Sequence, residues 1–157
     1  MSSASSCLVS FRDDLNRACS TERFCSYFSR DAPVCLEHGP AVAELPFLGK
    51  PFEGHDAIAR YYALITRVLK GYGSAFEEKD LWLRIEEGAH TASALWTGEA
   101  DWAVQETGKR WHEAVVWKFE LRRSSAESEW KLARWEVWAG AYGAGCYPLS
   151  AYLASKP

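Results

Sequence analysis

The sequence predicts an α+β fold, in which helices early in the chain lie on one face of an antiparallel sheet formed mainly by the later part. In residues 8–29 and 55–72, apolar residues recur at helical spacings of three and four. After residue 75, apolar and polar residues alternate over several stretches, as in strands with one buried face. This segregation is typical of α+β domains. The length of 157 residues predicts a single domain over residues 1–157, with a frayed Ser-rich start at residues 1–7.

The helical part divides into two regions. Residues 8–29 follow a helical pattern, and Ser20 with Thr21 could cap a second short helix, so one interrupted helix and two helices fit equally well. The segment VCLEH, residues 34–38, is predicted to be a strand. The Pro- and Gly-containing segment after it is predicted to be a loop with at most one irregular strand. Residues 55–72 give the clearest helical pattern, with a continuous apolar stripe.

Four strands are predicted in the later part, at residues 75–87, 91–104, 110–122 and 130–142. A tight turn at residues 107–108 would pair Trp102 with Glu113 and keep the apolar residues of both strands on one face, which a slip by one residue would destroy. A shift by two residues remains open, because Thr-Gly is not the strongest hairpin signal. The following hairpin is predicted to pair Trp117 with Trp135.

Charge, hydropathy and cysteine content argue against several classes of protein. The formal net charge is −3 and no basic block occurs, so we expect no nucleic-acid partner and no electrostatic contact with a membrane. No run of about 18 apolar residues and no secretory signal are present, so we expect a cytoplasmic protein. The five cysteines are odd in number and form no CxxC pair, which argues against a disulfide framework and a zinc site. Nucleotide-binding, serine-hydrolase and zinc-protease motifs are absent.

Glu113 is the leading candidate for a functional residue. It shares the apolar parity of its strand with Trp111, Val115 and Trp117. A carboxylate that faces an apolar interior is costly unless it is paired, protonated or hydrated, and burial raises its pKa toward the range that suits a general acid or base at neutral pH. The alternative is a structural glutamate that is satisfied by a tyrosine, an arginine or a backbone group.

Four further residues are candidates for moving a proton or holding a developing oxygen charge. His38 shares the parity of the apolar residues in its strand and would point inward, where an imidazole could relay a proton. Tyr61 and Tyr62 lie on the inner stripe of the long helix, where a hydroxyl could donate to an oxyanion. Asp31 follows the first helical region. Ordinary hydrogen bonding, core packing and a helix-ending turn are the alternative explanations.

Aromatic residues dominate the predicted inner face of the sheet. As a ligand cage they would favour a flat, apolar guest, and as core residues they would need no ligand. On the opposite face, Asp101 and His112 lie within reach of one another and are expected to form a solvated or interfacial ion pair. The inner-face tryptophans are Trp96, Trp102, Trp111, Trp117 and Trp135.

Three segments carry a resemblance to a known family: FSRDAPVCLEHG at residues 28–39, PFEGHDAIARYYALI at 51–65 and WKLARWEVW at 130–138. They resemble the SnoaL-like branch of the NTF2-like superfamily. This resemblance implies a cone-shaped α+β barrel with a curved antiparallel sheet wrapped over helices and a pocket at the wide end. It also implies a homodimer through the outer sheet face.

The resemblance also suggests an activity. Enzymes of this superfamily include polyketide cyclases, ketosteroid isomerases and dehydratases, which typically use pocket carboxylates, His and Tyr without a metal or cofactor. We therefore expect a cofactor-free isomerase, cyclase or dehydratase acting on a small apolar carbonyl compound of the polyketide or terpenoid type. Glu113 would move the proton. The alternative is a module that binds a small molecule without turnover or serves in dimeric assembly.

Overall fold

The structure is a computed structural model that describes residues 3–41, 45–86, 90–108, 110–125 and 128–140, with Tyr72 and Trp111 described by their backbone alone. The predicted α+β fold is confirmed. Three helices are present, namely α1 (Ala4–Asn16), α2 (Thr21–Ser26) and α3 (His55–Val68). None of the helices in the described residues is long and apolar enough to cross a membrane.

The first two helices begin at serine caps. The side-chain oxygen of Ser3 accepts the N–H of Ser6, so α1 starts at Ala4, and the prediction of a frayed end is wrong for the residues that follow Ser3. Ala18 adopts a positive φ of 52°, which separates α1 from α2. Ser20 then caps α2 by accepting the N–H of Arg23 at 3.1 Å. Of the two alternatives left open by the sequence, two helices is the correct one.

The described strands form one seven-stranded sheet. The strands are β1 (Val34–His38), β2 (Pro51–Glu53), β3 (Leu69–Ala75), β4 (Leu81–Ile85), β5 (Thr91–Val104), β6 (Arg110–Arg122) and β7 (Lys131–Ala139). Their order in the sheet is β2-β1-β7-β6-β5-β3, and β4 also pairs with β5. Strand β1 runs parallel to β7, and the other pairings are antiparallel.

The end of α3 departs from the prediction. The helix stops at Val68, and Leu69 starts β3 by pairing with Val104 of β5. Gly71 and Gly73 lie in this strand at a β-bulge, where the positive φ of Gly73 suits a residue without a Cβ. The predicted strand at 75–87 is also shorter than expected, because β3 ends at Ala75, a 3₁₀ turn covers Glu78–Asp80, and β4 covers only Leu81–Ile85.

In both long hairpins, the register of strand pairing is shifted by two residues from the register predicted first. Ala100, rather than Trp102, lies opposite Glu113, and Trp117 pairs with Val137 rather than Trp135. The β5–β6 connection is longer than a tight two-residue turn, and the N–H of Gly108 donates to the carbonyl of Val104 at 2.8 Å. A two-residue shift preserves the faces, so the inward direction of Glu113 is unchanged.

Helices α1 and α2 cover part of the inner face with aromatic side chains. Phe11 of α1 is fully buried and meets the ring of Trp135 edge-on, with ring centroids 5.0 Å apart. Phe24 of α2 is also fully buried and stacks on Tyr62 of α3 at 4.2 Å. Such edge-on and offset contacts are the favourable geometries for aromatic pairs. This packing fills one part of the inner face and leaves a cavity in another.

Candidate functional site

A cavity of about 220 Å³ lies between α3, the C-terminal end of α1 and the inner face of the sheet. Its wall is mostly apolar and aromatic, with a few polar groups, as in many small-molecule sites. The carboxyl and aromatic residues of the wall include Glu37, Tyr61, Tyr62, Trp102, Glu113, Trp117 and Trp135.

Glu113 lies on the cavity wall, which is where the strand alternation places it. Its side of β6 faces inward, opposite Ala100 of β5, and the residue is only 8% exposed. The neighbouring residues Val115 and Trp117 share this wall. The carboxyl group therefore sits among apolar side chains at the cavity, as a general acid or base in such a pocket would.

A second carboxyl group on the same wall, Glu37, was not predicted. Glu37 is buried in β1, and the hydroxyl of Tyr61 donates to its Oε2 at 2.9 Å. Burial raises the pKa of Glu37 to about 7, the Tyr61 hydrogen bond opposes this rise, and the nearby charge of Glu113 adds to it. A carboxyl group with this pKa exchanges protons readily at neutral pH.

The prediction that His38 points into the interior is wrong. Cys35 and Glu37 take the inward positions of β1, so His38 lies on the outer face. Its ring stacks on Trp138 with centroids 4.1 Å apart, and its Nε2 lies 3.1 Å from Oε2 of Glu136. The prediction assumed that Val34 and Leu36, which share the parity of His38, face inward, whereas they are less buried than Cys35 and Glu37.

The structure assigns different surroundings to the two tyrosines of α3. Tyr61 is buried beside Glu37, and burial together with the charge of Glu37 raises the pKa of its hydroxyl. Tyr62 also lines the cavity, but its hydroxyl donates to the carbonyl of Cys19 at 2.8 Å. Tyr61 is therefore the tyrosine linked to a cavity carboxyl group, and both hydroxyls already have an acceptor.

The five predicted pocket tryptophans fall into three groups. Trp102, Trp117 and Trp135 line the cavity. Trp96 belongs to the core instead, since it is fully buried away from the cavity wall and its N–H donates to the carbonyl of Glu77 at 2.8 Å. The side chain of Trp111 lies outside the described residues. Three of the five tryptophans therefore line the cavity, and their contact with a ligand stays a prediction.

The remaining acidic candidates lie away from the cavity. Asp31 is exposed in the bend before β1 and does not line the cavity, so the structure does not bring it together with the other site candidates. Asp101 and His112 lie opposite one another on the outer face, with Oδ1 and Nδ1 3.0 Å apart, and both side chains are exposed. Glu99 adds a second carboxylate 3.3 Å from the same imidazole. This exposed cluster matches the expected surface ion pair.

The described residues contain free thiols but no cluster suited to a metal ion. Over the described ranges, no group of three or more His, Cys, Asp or Glu side chains is arranged to hold a metal ion. Cys7, Cys19, Cys25 and Cys35 are free thiols. The fifth cysteine, Cys146, lies outside the described residues. Burial raises the pKa of Cys35, which lies on the same inward side of β1 as Glu37, so its thiol stays protonated at neutral pH.

The arrangement is suited to moving protons within an apolar compartment. Two carboxyl groups share one cavity with a mostly apolar and aromatic wall, and one of them has a pKa near neutrality. Carboxyl groups with different surroundings can divide the acid and base roles of one reaction.

Comparison with known proteins identifies the fold. No protein-family model and no curated protein matches the sequence. Among solved structures, a ketosteroid isomerase-like protein from Erwinia carotovora atroseptica has 19% identity and a TM-score of 0.66, covering 85% of this chain and 90% of that one. A protein from Catenulispora acidiphila, crystallised with S-DNPA, has 14% identity and a TM-score of 0.61 over 87% and 90%.

A third similar structure is named for the fold itself. It is an NTF2-like protein with a cystatin-like fold from Novosphingobium aromaticivorans, with 16% identity and a TM-score of 0.54 over 83% of this chain and 75% of that one. At these identities the likeness concerns the fold, and activity has to be argued from the site. The three structures and the sheet order together establish that this chain has the NTF2-like fold.

Proposed function

We propose that this protein is a cofactor-free acid/base catalyst that isomerises, cyclises or dehydrates a small apolar carbonyl compound of the polyketide or terpenoid type. The observation that carries the proposal is the pair of glutamates, Glu37 and Glu113, on the wall of an otherwise largely apolar cavity. The fold relatives support it, since one is named ketosteroid isomerase-like and another is crystallised with a small ligand.

The two carboxyl groups allow a balanced proton transfer. In the proposed reaction, one carboxylate takes a proton from the carbon next to the carbonyl, and the electron pair of the C–H bond moves toward the carbonyl oxygen to form an enolate. The other group, in its acid form, returns a proton at a different carbon, which completes an isomerisation, or to a leaving hydroxyl, which completes a dehydration. Tyr61 positions Glu37, and Trp102, Trp117 and Trp135 hold the apolar body of the substrate.

The shared first step can be tested without the natural substrate. We expect the protein to catalyse exchange of the α-protons of α-tetralone with deuterium oxide, followed by NMR. Replacing a general acid or base typically costs about 10²–10⁴-fold in rate, so Glu113→Gln and Glu37→Gln should each lose most of the exchange. Glu120→Gln is the matched control, because Glu120 is exposed on β6 and lies outside the cavity wall.

The outcomes separate this function from its alternative. Ligand binding without exchange in the wild-type protein would favour a binding module with no turnover. The failure of a panel of apolar ketones to bind at all would favour assembly as the role of the fold. Equal exchange rates in the wild type and both cavity variants would show that neither glutamate moves the proton.

We also propose that the protein forms a homodimer through the outer face of the sheet. Trp82 of β4 and Leu95 of β5 are cross-strand partners on this face, and they are 59% and 40% exposed. Val116 and Trp138 form a second apolar pair on the same face. Large apolar side chains that remain exposed next to one another are characteristic of interaction surfaces.

A further inference from the structure

The cavity wall contains two indole N–H groups that have no acceptor within the described part of the chain. They belong to Trp102 of β5 and Trp135 of β7, and both nitrogen atoms are buried. Well over nine-tenths of buried backbone donors, and the large majority of buried side-chain donors, have a partner, so each exception calls for an explanation. Trp96, the core tryptophan, follows the rule by donating to a backbone carbonyl.

The tyrosine and threonine hydroxyls along the cavity, and the amide of Gln105, are already engaged. The Tyr61 hydroxyl donates to Glu37, and the Tyr62 hydroxyl donates to the carbonyl of Cys19. At the rim, the Thr66 hydroxyl donates to the carbonyl of Tyr62, and the side-chain amide of Gln105 donates to the carbonyl of Thr66. Each of these groups already donates to a protein acceptor, whereas the two indole N–H groups have none within the described part of the chain.

Both rings pack against neighbouring residues. Trp135 is 5% exposed and meets Tyr61 and Trp117 edge-on, with centroid distances of 6.1 Å and 5.7 Å. Trp102 packs against Gly71 of β3, where an added Cβ would lie 3.4 Å from its ring. The Trp135 ring is therefore closely packed, and donors whose direction is set in advance are effective at stabilising a developing oxygen charge.

We propose that Trp102 and Trp135 donate their indole N–H groups to oxygen atoms of the ligand, so that the cavity selects compounds with carbonyl-type oxygens over hydrocarbons of the same shape. The inference rests on the cavity of the proposed function and names the chemical feature that this cavity recognises. In the proposed reaction, the same hydrogen bonds stabilise the enolate oxygen while the glutamates move the proton.

The test compares pairs of ligands that differ by one carbonyl group. Dissociation constants for α-tetralone and tetralin, and for indanone and indane, are measured by ligand-observed NMR. We expect the wild type to bind each ketone about tenfold more tightly than its hydrocarbon, as one or two net hydrogen bonds would give. Trp135→Phe and Trp102→Phe should each reduce this ratio several-fold, while Trp96→Phe should leave it unchanged.

Because a smaller ring also changes packing, a second substitution isolates the N–H. Benzothienylalanine at position 135 or 102 keeps the bicyclic shape and replaces the N–H with sulfur, so it should lower the ketone-to-hydrocarbon ratio with little effect on hydrocarbon binding. An unchanged ratio in these proteins, or no preference for either ketone in the wild type, would overturn the inference. A clear preference without proton exchange would leave it standing and refute the proposed function instead.

Discussion

Glu37 shows how one buried carboxyl group can be kept titratable near neutral pH. Its strand places it among apolar side chains, where the charged form is poorly solvated, and Tyr61 supplies a hydrogen bond that favours the charged form. These opposing effects leave the pKa at about 7 instead of the ordinary value of 4.5. The protonation state of Glu37 should therefore influence stability as well as any chemistry.

We expect the free energy of unfolding to fall as the pH rises from about 5 to about 8. In this window the unfolded chain has already released the Glu37 proton, whereas the folded protein holds it until the pH passes about 7, so the stabilisation present at low pH is lost. The shift corresponds to roughly 3 kcal/mol. Urea unfolding of Glu37→Gln at both pH values should show a smaller loss of stability than the wild type, because the glutamine side chain can accept the hydrogen bond from the Tyr61 hydroxyl and does not titrate.

An exposed glutamate provides the control for this pH dependence. Glu53→Gln, in β2, should retain the wild-type loss of stability, because Glu53 is exposed. His112 also titrates with a raised pKa, mainly through its hydrogen bond to Asp101, but it is present in all three proteins and cancels in the comparison. If Glu37→Gln and the wild type lose equal stability, Glu37 has an ordinary pKa in the folded protein.

The sequence predicts the inward direction of Glu113 but not that of Glu37, and there is a physical reason for this difference. Glu113 lies in a long strand where several large apolar residues show which side faces inward. Its side chain therefore faces inward in either of two registers that differ by two residues. Glu37 stands in a five-residue strand with apolar residues on both parities, and the sequence favoured the wrong one. Adjacent polar residues at the end of this strand, Glu37 and His38, indicate that one of them faces inward, but the choice depends on pairing with β7.

At the scale of the elements, the strands were easier to predict than their pairing. Alternation located β5, β6 and β7, while the β5–β6 register depended on a turn whose sequence does not specify its length. The helix pattern continued past Val68 because Leu69 and Tyr72 keep the helical spacing, although Gly71 and Gly73 disfavour a helix. The segment forms a strand because it pairs with β5, and pairing between residues far apart in the sequence is not visible in the local pattern.

The packing of β3 against β5 gives a prediction for Gly98. A Cβ at this position would lie 2.6 Å from Cδ1 of Phe76 and 2.7 Å from the carbonyl oxygen of Ala75. Phe76 is buried and stacks on Trp117 at 3.8 Å, so it has little room to move. Gly98→Ala should therefore destabilise the protein by about 1–3 kcal/mol in urea unfolding, as overpacking of a core does.

The adjacent residue in β5 provides the control for this overpacking. Thr97 points to the exposed outer face, so Thr97→Ala should change the stability by less than about 1 kcal/mol. If the two variants are equally stable, the close approach of β3 to Gly98 does not exist in solution. A loss confined to Gly98→Ala, with weaker binding of apolar ketones, would show that Phe76 also supports the cavity wall through Trp117.

At the scale of the whole molecule, the sheet separates two kinds of surface. Its inner face holds the cavity with Glu37 and Glu113, and its outer face holds charged networks together with exposed apolar residues. On the outer face Glu136 is surrounded by Arg134, His38 and Lys118, which hold its pKa below the usual value despite its burial. An outer face that combines paired charges with apolar side chains is suited to contact with a second copy.

We expect the dimer to depend on the apolar pair of the outer face. A stable protein interface usually buries about 800 Å² per partner, with large apolar side chains near its centre. Trp82→Lys combined with Leu95→Lys should therefore give a monomer in sedimentation velocity, whereas the wild type should sediment as a dimer. Ile85→Lys is the matched control, because Ile85 is 51% exposed on the same strand but pairs with the inward-facing Ala92. A wild-type protein that remains monomeric, or a double variant that remains dimeric, would place the interface elsewhere or show that none exists.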